Sequence, residues 1–181
     1  MNVPRKSTAM VIITSITMHN GTKPSVYDMT YDAYGNLASL TKPENHKGQR
    51  MRYDYTYDNV LHMLVTNVKD AYGYTSSTDY NYKWAVPVET SDLNGNKMRY
   101  AYDGMGRPST ILAPKELESG RPYTLKFEYH PAERYAQTLH YFPEGDIETY
   151  TFADSLMRAV QTKQAGVVWT GGSNQKVSIV S

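Results

Sequence analysis

Histidine is the residue type in this sequence that could bind a metal or transfer protons near neutral pH. The chain has no cysteine, which excludes disulfides and thiolate ligands. No His-Glu-x-x-His motif occurs, and zinc sites built from histidine and carboxylates alone are uncommon. His140 and Glu144 could form a ligand pair, but a strand that ends in a turn is the favoured interpretation. We therefore expect no metal and no cofactor. The five histidines are His19, His46, His62, His130 and His140.

Three glycine-containing stretches match catalytic or binding motifs only in part. In Asp92-Leu-Asn-Gly95-Asn96 the glycine is the fourth residue, whereas a calcium-binding EF-hand loop needs it at the sixth. Gly104-Met-Gly106 lacks the third glycine and the following helix of a phosphate-binding loop. Gly171-Gly172-Ser173 lacks the Gly-x-Ser-x-Gly elbow of a hydrolase. All three are interpreted as turns, and we expect no enzymatic activity.

The N-terminal segment allows two interpretations. Lys6 and the apolar run 9–13 faintly resemble a signal peptide, but the run is short and polar residues follow it. A first β-strand is the favoured interpretation. Asn20-Gly21-Thr22 fits an N-glycosylation acceptor, although Asn-Gly is also the strongest hairpin-turn dipeptide. We favour the turn.

A repeated Asp-x-x-Gly pattern organises the chain. Aspartate at the first position of a turn can accept hydrogen bonds from backbone N–H groups ahead of it, and glycine three residues later supplies the left-handed conformation that closes the turn. The steps between the first five aspartates lie near multiples of 11 to 13 residues, which is typical of serial hairpins. The full copies are Asp32/Gly35/Asn36, Asp70/Gly73, Asp92/Gly95/Asn96 and Asp103/Gly106/Arg107, and two copies without glycine begin at Asp58 and at Asp154, the latter with Arg158.

The segments between these turns predict strands. In residues 51–57 a methionine and three tyrosines alternate with arginine, aspartate and threonine, and residues 97–102 alternate in the same way. This period of two indicates half-buried β-strands. No amphipathic helix is convincing, and the window Pro114–Glu118 is too short to matter. Loops are expected around 42–48 and 113–122. The predicted fold class is all-β, built from serial antiparallel β-hairpins.

Two of the four full copies carry a tyrosine directly before the aspartate. Tyr31-Asp32-x-x-Gly35-Asn36 and Tyr102-Asp103-x-x-Gly106-Arg107 resemble the YD repeat, also called the RHS repeat. The stretch 149–163 resembles a degenerate copy, in which Phe152-Ala153 replaces the tyrosine and Met157 replaces the glycine. The resemblance covers roughly residues 25–165. Several such motifs at hairpin spacing on tyrosine-rich strands are fairly specific.

The resemblance implies a shell. In that family, long strings of hairpins form a hollow β-shell, which in bacterial polymorphic toxins and toxin complexes encloses a C-terminal toxin; animal teneurins carry a similar shell. The repeats themselves are non-catalytic there. The resemblance therefore implies a structural segment that encapsulates a toxin or effector cargo in a secreted or cell-surface bacterial protein. Family shells are much longer than this chain, so we expect a piece of a larger shell rather than a self-contained β-domain.

The resemblance also suggests a division of the chain and its partners. Residues 1–24 form an atypical strand and turn, 25–165 the repeat region, and 166–181 a further, truncated hairpin. The expected partners are the remainder of a larger shell or a cargo polypeptide.

The tyrosines leave an alternative function open. There are 17 tyrosines and the net charge is +1, and this charge gives no overall attraction for nucleic acid. No apolar run is long enough to span a bilayer. Cross-strand packing is the favoured role of the rings. The alternative is a carbohydrate-binding or cell-surface adhesion module that uses exposed faces such as those of Tyr82 and Trp84.

Overall fold

The computed structural model describes residues 12–19, 21, 23–170 and 173–181. The predicted all-β class is confirmed: antiparallel hairpins follow one another along the chain. The chain divides into two compact units, Met1–Ser77 and Thr78–Ser181. Most of the apolar N-terminal run, Asn20, Thr22, Gly171 and Gly172 lie outside the described residues, so the interpretations of those stretches stay predictions.

The first unit is a sheet in which each strand pairs with its neighbours in the sequence. All five of these pairings are antiparallel. The strands are β1 Ser15–His19, β2 Pro24–Tyr31, β3 Leu37–Glu44, β4 Arg50–Tyr57, β5 Val65–Asp70 and β6 Thr75–Asn81, whose residues beyond Ser77 belong to the second unit.

The second unit repeats this arrangement with longer strands at its C-terminal end. Its strands pair antiparallel and in chain order from β7 onward. The strands are β7 Val86–Ser91, β8 Lys97–Tyr102, β9 Pro108–Leu112, β10 Leu125–His130, β11 Tyr135–His140, β12 Ile147–Ala153, β13 Ala159–Thr170 and β14 Ser173–Val180.

One short helix, α1 (Pro114–Glu118), lies between β9 and β10, where the sequence predicts only a loop. Proline at the first position sets the backbone for a helical turn and loses no hydrogen bond there. The amide of Leu117 donates to the carbonyl of Ala113 at 2.9 Å, and Gly120, at φ 65°, ends the segment. The helix is a single turn in a connection and leaves the strand order unchanged.

Each sheet has an apolar, aromatic face and a polar face, as the period of two predicts. In the first unit Tyr53 lies opposite Leu40, and Tyr55 lies opposite Val68. In the second unit Tyr100 lies opposite Ile111. These cross-strand pairs contribute about 0.2–1 kcal/mol each. In the described part of the chain no hydrophobic side chain is fully buried, so the apolar face of each sheet is stabilised by half-buried pairs of this kind.

The polar faces are held by ion pairs and hydroxyl contacts. Arg50 of β4 pairs with Asp28 of β2 at 2.7 Å, and the hydroxyls of Thr30 and Ser39, which lie opposite each other on β2 and β3, are 2.7 Å apart. In the second unit Glu89 accepts from both Lys97 and Arg99. Exposed pairs of this type are weak individually.

Because the strands run antiparallel in chain order, successive turns alternate between the two ends of the strands. We call the row of turns that contains the Tyr-Asp motifs the Tyr-Asp rim, and the other row the opposite rim. In the first unit the Tyr-Asp rim consists of turns 32–36 and 58–64, and in the second unit of turns 82–85, 103–107, 131–134 and 154–158. Asp70 and Asp92 belong to turns of the opposite rim, which the sequence pattern did not distinguish from the others.

Candidate functional site: the Tyr-Asp turns

The turn at Asp32 shows what the repeated aspartate does. The Asp32 amide donates to the carbonyl of Asn36 at 2.9 Å, and the Gly35 amide donates to the carbonyl of Asp32 at 3.2 Å. One carboxylate oxygen accepts from the amides of Tyr34 and Asn36, at 2.9 and 2.8 Å. The carboxylate therefore satisfies two backbone donors inside the turn and holds the chain in its reversal.

The same hydrogen bonds recur at the other predicted turns. The carbonyl of the aspartate accepts from the residue three positions on, and its carboxylate accepts from the amides two and four positions on. Turns of this kind begin at Asp32, Asp70, Asp92, Asp103 and Asp154.

The residue after the glycine position adds a side-chain bond in four turns. The second carboxylate oxygen of the aspartate accepts from Asn36 at 3.0 Å, from Asn96 at 2.8 Å, from Arg107 at 2.7 Å and from Arg158 at 2.8 Å. Tyr74 occupies this position after Gly73. Asparagine and arginine at this site therefore hold the aspartate in place rather than facing a ligand.

Met157 adopts the left-handed conformation that glycine supplies elsewhere. Its φ is 60°, against 86° at Gly35 and 80° at Gly106. This conformation costs a side-chain-bearing residue about 1–2 kcal/mol. The Met157 side chain is mostly exposed, so it regains little by packing.

We expect Met157→Gly to stabilise the second unit by about 0.5–1 kcal/mol, because the strain relieved exceeds the chain entropy that glycine adds. The measurement is urea denaturation followed by circular dichroism. Met105→Gly, two residues into the turn at Asp103, is the control; it relieves no such strain and should not stabilise. A lower denaturation midpoint for Met157→Gly than for the parent would contradict the strain argument.

One further turn with the hydrogen bonds of the aspartate turns was not recognised in the sequence. Asn45 makes the same set of bonds as the aspartates: its side-chain oxygen accepts from Lys47 and Gln49, and Gly48 donates to its carbonyl. This turn lies in the stretch 42–48 that was expected to be an irregular loop. The spacing Asn-x-x-Gly was the signal, since asparagine offers the same acceptor as aspartate.

The degenerate copy at Asp58 differs from its predicted form, because the loop is longer. The Asp58 amide donates to the carbonyl of Leu64 rather than to a residue four positions on. Its two carboxylate oxygens accept from the amides of Val60, Leu61, Met63 and Leu64. Asp58 is only 3% exposed and is one of two buried polar residues in the described part of the chain. The loop is thus organised around one buried carboxylate.

The tyrosines before the turns also have a common partner. Each donates its hydroxyl to a carbonyl within two residues of the start of the preceding strand: Tyr31 to Ile13, Tyr57 to Leu37, Tyr102 to Pro87 and Tyr129 to Pro108, at 2.7–3.0 Å. Continuing the register of each strand pair by two residues toward the rim places the accepting residue opposite the residue before the tyrosine. The hydroxyl therefore ties the end of one strand to the beginning of the previous one. Tyr129 was not recognised in the sequence, because no aspartate follows it.

We expect Tyr102→Phe to destabilise the second unit by about 1 kcal/mol. The Tyr102 hydroxyl donates to the carbonyl of Pro87 at 2.7 Å in a partly buried site, and phenylalanine cannot make this bond. Burial raises the pKa of Tyr102, so the hydroxyl stays neutral and donates throughout the usual pH range. The measurement is urea denaturation, with Tyr82→Phe in an exposed turn as the control. Equal midpoints for the two variants would show that the hydroxyl contributes nothing.

The carboxylates of the turns make stability depend on pH. The Asn36 side chain holds the pKa of Asp32 below its usual value, the Asn96 side chain does so at Asp92, and the backbone amide of Arg107 does so at Asp103. At Asp58 burial alone would raise the pKa, but the four backbone donors outweigh it and the pKa lies well below the ordinary value.

Acid should therefore destabilise both units. A carboxylate with a lowered folded-state pKa contributes stability above its unfolded-state value, and this contribution is lost as the pH falls through the folded-state pKa. We expect constant stability from pH 7 to about 5 and a fall below about pH 4. Urea denaturation at pH 7, 5 and 3 checks this. Asp103→Asn should reduce the acid sensitivity of the second unit, whereas a midpoint that does not change with pH would refute the assignment.

Rings connect neighbouring turns of the Tyr-Asp rim. In the first unit Tyr34 stacks on His62 with centroids 3.9 Å apart, and the Asn36 side chain donates to the His62 carbonyl at 2.7 Å. In the second unit the backbone of Gly106 lies against the Trp84 indole, since a Cβ at Gly106 would be 2.7 Å from Trp84 Cδ2.

This contact bears on the predicted sugar-binding face of Trp84. The indole packs on Gly106, and the Lys83 ammonium lies 4.6 Å from its ring centroid. Trp84 is 37% exposed. The ring therefore serves as a contact between turns 82–85 and 103–107 and offers less free surface than the sequence suggested.

The described residues contain no group of three or more histidine, aspartate and glutamate side chains arranged to hold a metal ion. Within the same residues no helix has the length and apolar character that crossing a membrane requires.

The antiparallel hairpins in chain order match the fold of a β-hairpin repeat segment of an RHS-type shell. Solved structures of toxin complexes share it. The crystal structure of TcdB2-TccC3 superimposes with a TM-score of 0.62 over 91% of this chain, at 16% sequence identity. The Tc holotoxin pore of Photorhabdus luminescens gives a TM-score of 0.61 over 84% of the chain, at 14% identity. No family model matches the sequence, and no curated protein matches it significantly.

This chain spans about a tenth of the length of those chains, 10% in the first case and 12% in the second. At such low identities the likeness concerns the fold. It supports a structural relation to toxin-complex-like shell proteins.

Proposed function

We propose that this chain is a non-catalytic segment of an RHS/YD-repeat shell whose wall encloses a toxin or effector polypeptide. The observation that carries the proposal is the sequential antiparallel pairing of strands within each unit, in which six of the reversals are aspartate turns and tyrosine hydroxyls tie neighbouring strands. Continuous main-chain pairing leaves few backbone groups unpaired and is suited to a wall.

A structural role also accounts for the ionisable groups. The carboxylates of the turns are occupied by backbone amides of their own turns, and Arg107 and Arg158 are bonded to those carboxylates. We infer that these side chains maintain the wall and take no part in catalysis. The partners we propose are the remainder of a larger shell and its cargo, in a secreted or cell-surface bacterial protein, in keeping with the toxin complexes that share the fold.

The carbohydrate-binding alternative has weaker support. It required free aromatic faces, and the Trp84 indole packs against Gly106. Tyr31, Tyr57, Tyr102 and Tyr129 are held by hydroxyl bonds to the backbone.

Protease protection of the cargo tests the proposal. The natural protein that contains this chain is purified with its cargo, treated with a broad-specificity protease and followed by mass spectrometry. We expect the cargo to be protected in the parent and in Asp79→Asn, which changes an exposed strand residue. We expect it to become cleavable in Asp58→Asn, which removes the buried carboxylate that accepts the backbone amides of loop 58–64. A cargo that is cleaved as fast in the intact parent as after unfolding would refute enclosure.

A further inference from the structure

The bonding rule of the rim tyrosines identifies one position where the tyrosine is missing. Tyr31, Tyr57 and Tyr102 each lie at a register shift, where they pair with Leu37, Val65 and Pro108. Ala153 lies at the same kind of shift, directly before the turn at Asp154, and pairs with Ala159. Ala153 is therefore the structural equivalent of the tyrosines, and its methyl group stands where they carry a phenol ring.

A hollow lies at this position on the Tyr-Asp rim of the second unit. Its volume is about 170 Å³, and its lining includes Arg107, Tyr129, Tyr135, Ala136, Thr151 and Ala153. An enclosed apolar cavity of about 150 Å³ accepts benzene; this hollow has a similar volume but is open to solvent on one side, and Arg134 and His130 also line it. The small side chains of the alanines and Thr151 leave room for one ring, and the Tyr129 ring forms a wall.

The geometry points to a binding site for a single phenolic ring in this hollow. We propose that a para-substituted phenol occupies the space of the absent tyrosine, with its hydroxyl donating to the carbonyl of Tyr135. Tyr135 is the residue that the register places opposite Phe152, the residue before Ala153. It is thus the equivalent of Leu37, Pro87 and Pro108, whose carbonyls accept from tyrosine in the other copies.

The charge in the hollow also suits an uncharged aromatic ring. The Arg107 guanidinium lies 4.1 Å from the centroid of the Tyr129 ring and is already bonded to Asp103. A cation over an aromatic wall favours a second ring beside it through its quadrupole. The ligand can be a free phenol or the side chain of a tyrosine in another polypeptide, since both present the same ring and hydroxyl. This inference is independent of the proposed shell function, because it rests on the strand register at Ala153 and on the hollow beside it.

Binding of p-cresol to the full chain tests the proposal, measured by calorimetry and by amide chemical shifts. We expect shifts centred on Ala136 and Thr151, and binding about fivefold tighter than that of toluene, which lacks the hydroxyl. N-acetyl-tyrosinamide is the second probe: if it binds as well, the site accepts a peptide tyrosine, and if only p-cresol binds, the natural ligand is a free phenol. Absence of binding by p-cresol at millimolar concentration, or shifts centred elsewhere, would overturn the inference.

Two tyrosine substitutions provide the matched comparison. Ala153→Tyr should fill the hollow, weaken p-cresol binding at least tenfold and raise the denaturation midpoint. Ala33→Tyr, on an exposed position of the turn at Asp32, should leave p-cresol binding unchanged. Undiminished p-cresol binding in a folded Ala153→Tyr variant would overturn the assignment. If that variant does not fold, the test is whether p-cresol shifts the amide resonances of Ala136 and Thr151 in the parent.

Discussion

Replacing Gly106 with alanine should destabilise the second unit by about 2–5 kcal/mol, the sum of two separate costs. The first is conformational, because Gly106 has a φ of 80°, which alanine adopts with strain of about 1–2 kcal/mol. The second is steric, because the new Cβ would lie 2.7 Å from Trp84 Cδ2 and 2.9 Å from Trp84 Cε3. The indole would have to move out of its contact with the turn. Urea denaturation followed by tryptophan fluorescence measures both the loss and the movement.

Gly95 provides the matched control for this experiment. Its φ is 81°, nearly that of Gly106, and a Cβ built there meets nothing within 4 Å. Gly95→Ala should therefore show the conformational cost alone, about 1–2 kcal/mol. In a Trp84→Ala background, the destabilisation caused by Gly106→Ala should fall to that caused by Gly95→Ala, because the indole that the new Cβ would contact is absent. Equal effects of the two glycine substitutions in the parent would show that Trp84 does not pack on the turn.

Asp58→Asn should lower the melting temperature of the first unit by about 5–10 °C, the largest effect of any aspartate substitution in the turns. The Asp58 carboxylate accepts four backbone amides through two oxygens, and it is buried. Asparagine offers one oxygen, and its NH₂ group would face two of the amides donor to donor. Buried amides left without an acceptor are costly.

Thermal denaturation monitored by circular dichroism measures this effect. Asp32→Asn should cost less, since its turn is exposed to water that can replace the lost acceptor, and Asp79→Asn on a strand surface should change little. The variant Asp58→Asn should also lose part of the acid sensitivity of the first unit, because its low-pKa carboxylate is gone. If Asp58→Asn has the same melting temperature as the parent, the buried carboxylate does not organise the loop.

The strands and most of the turns could be predicted from the sequence because the signals are local. Alternating side chains in β4 and β8 fix which face each residue occupies, and aspartate with glycine three positions later marks a reversal within five residues. The turn at Asn45 carried the same local signal with a different acceptor.

Other features depend on contacts that a single segment does not encode. The loop at Asp58 is closed by His62 in a left-handed conformation (φ 55°), and the turns at 82–85 and 131–134 use Ala85 and Arg134 in the same way. Alanine and arginine do not signal that conformation by type, and histidine does so only weakly. The carbonyl partners of the tyrosines lie about 15–21 residues away in sequence, and the packing of Trp84 on Gly106 spans two turns. These contacts follow from register, which only the assembled sheet defines.

The pairing of each strand with its sequence neighbours favours stepwise folding of each unit. Every strand pairs with its neighbour in the sequence, so each pairing closes a short loop and the entropy lost at each step is small. Folding can proceed from one hairpin to the next while synthesis of the chain continues. A hairpin of two strands can also be gained or lost during evolution without changing how the remaining strands pair.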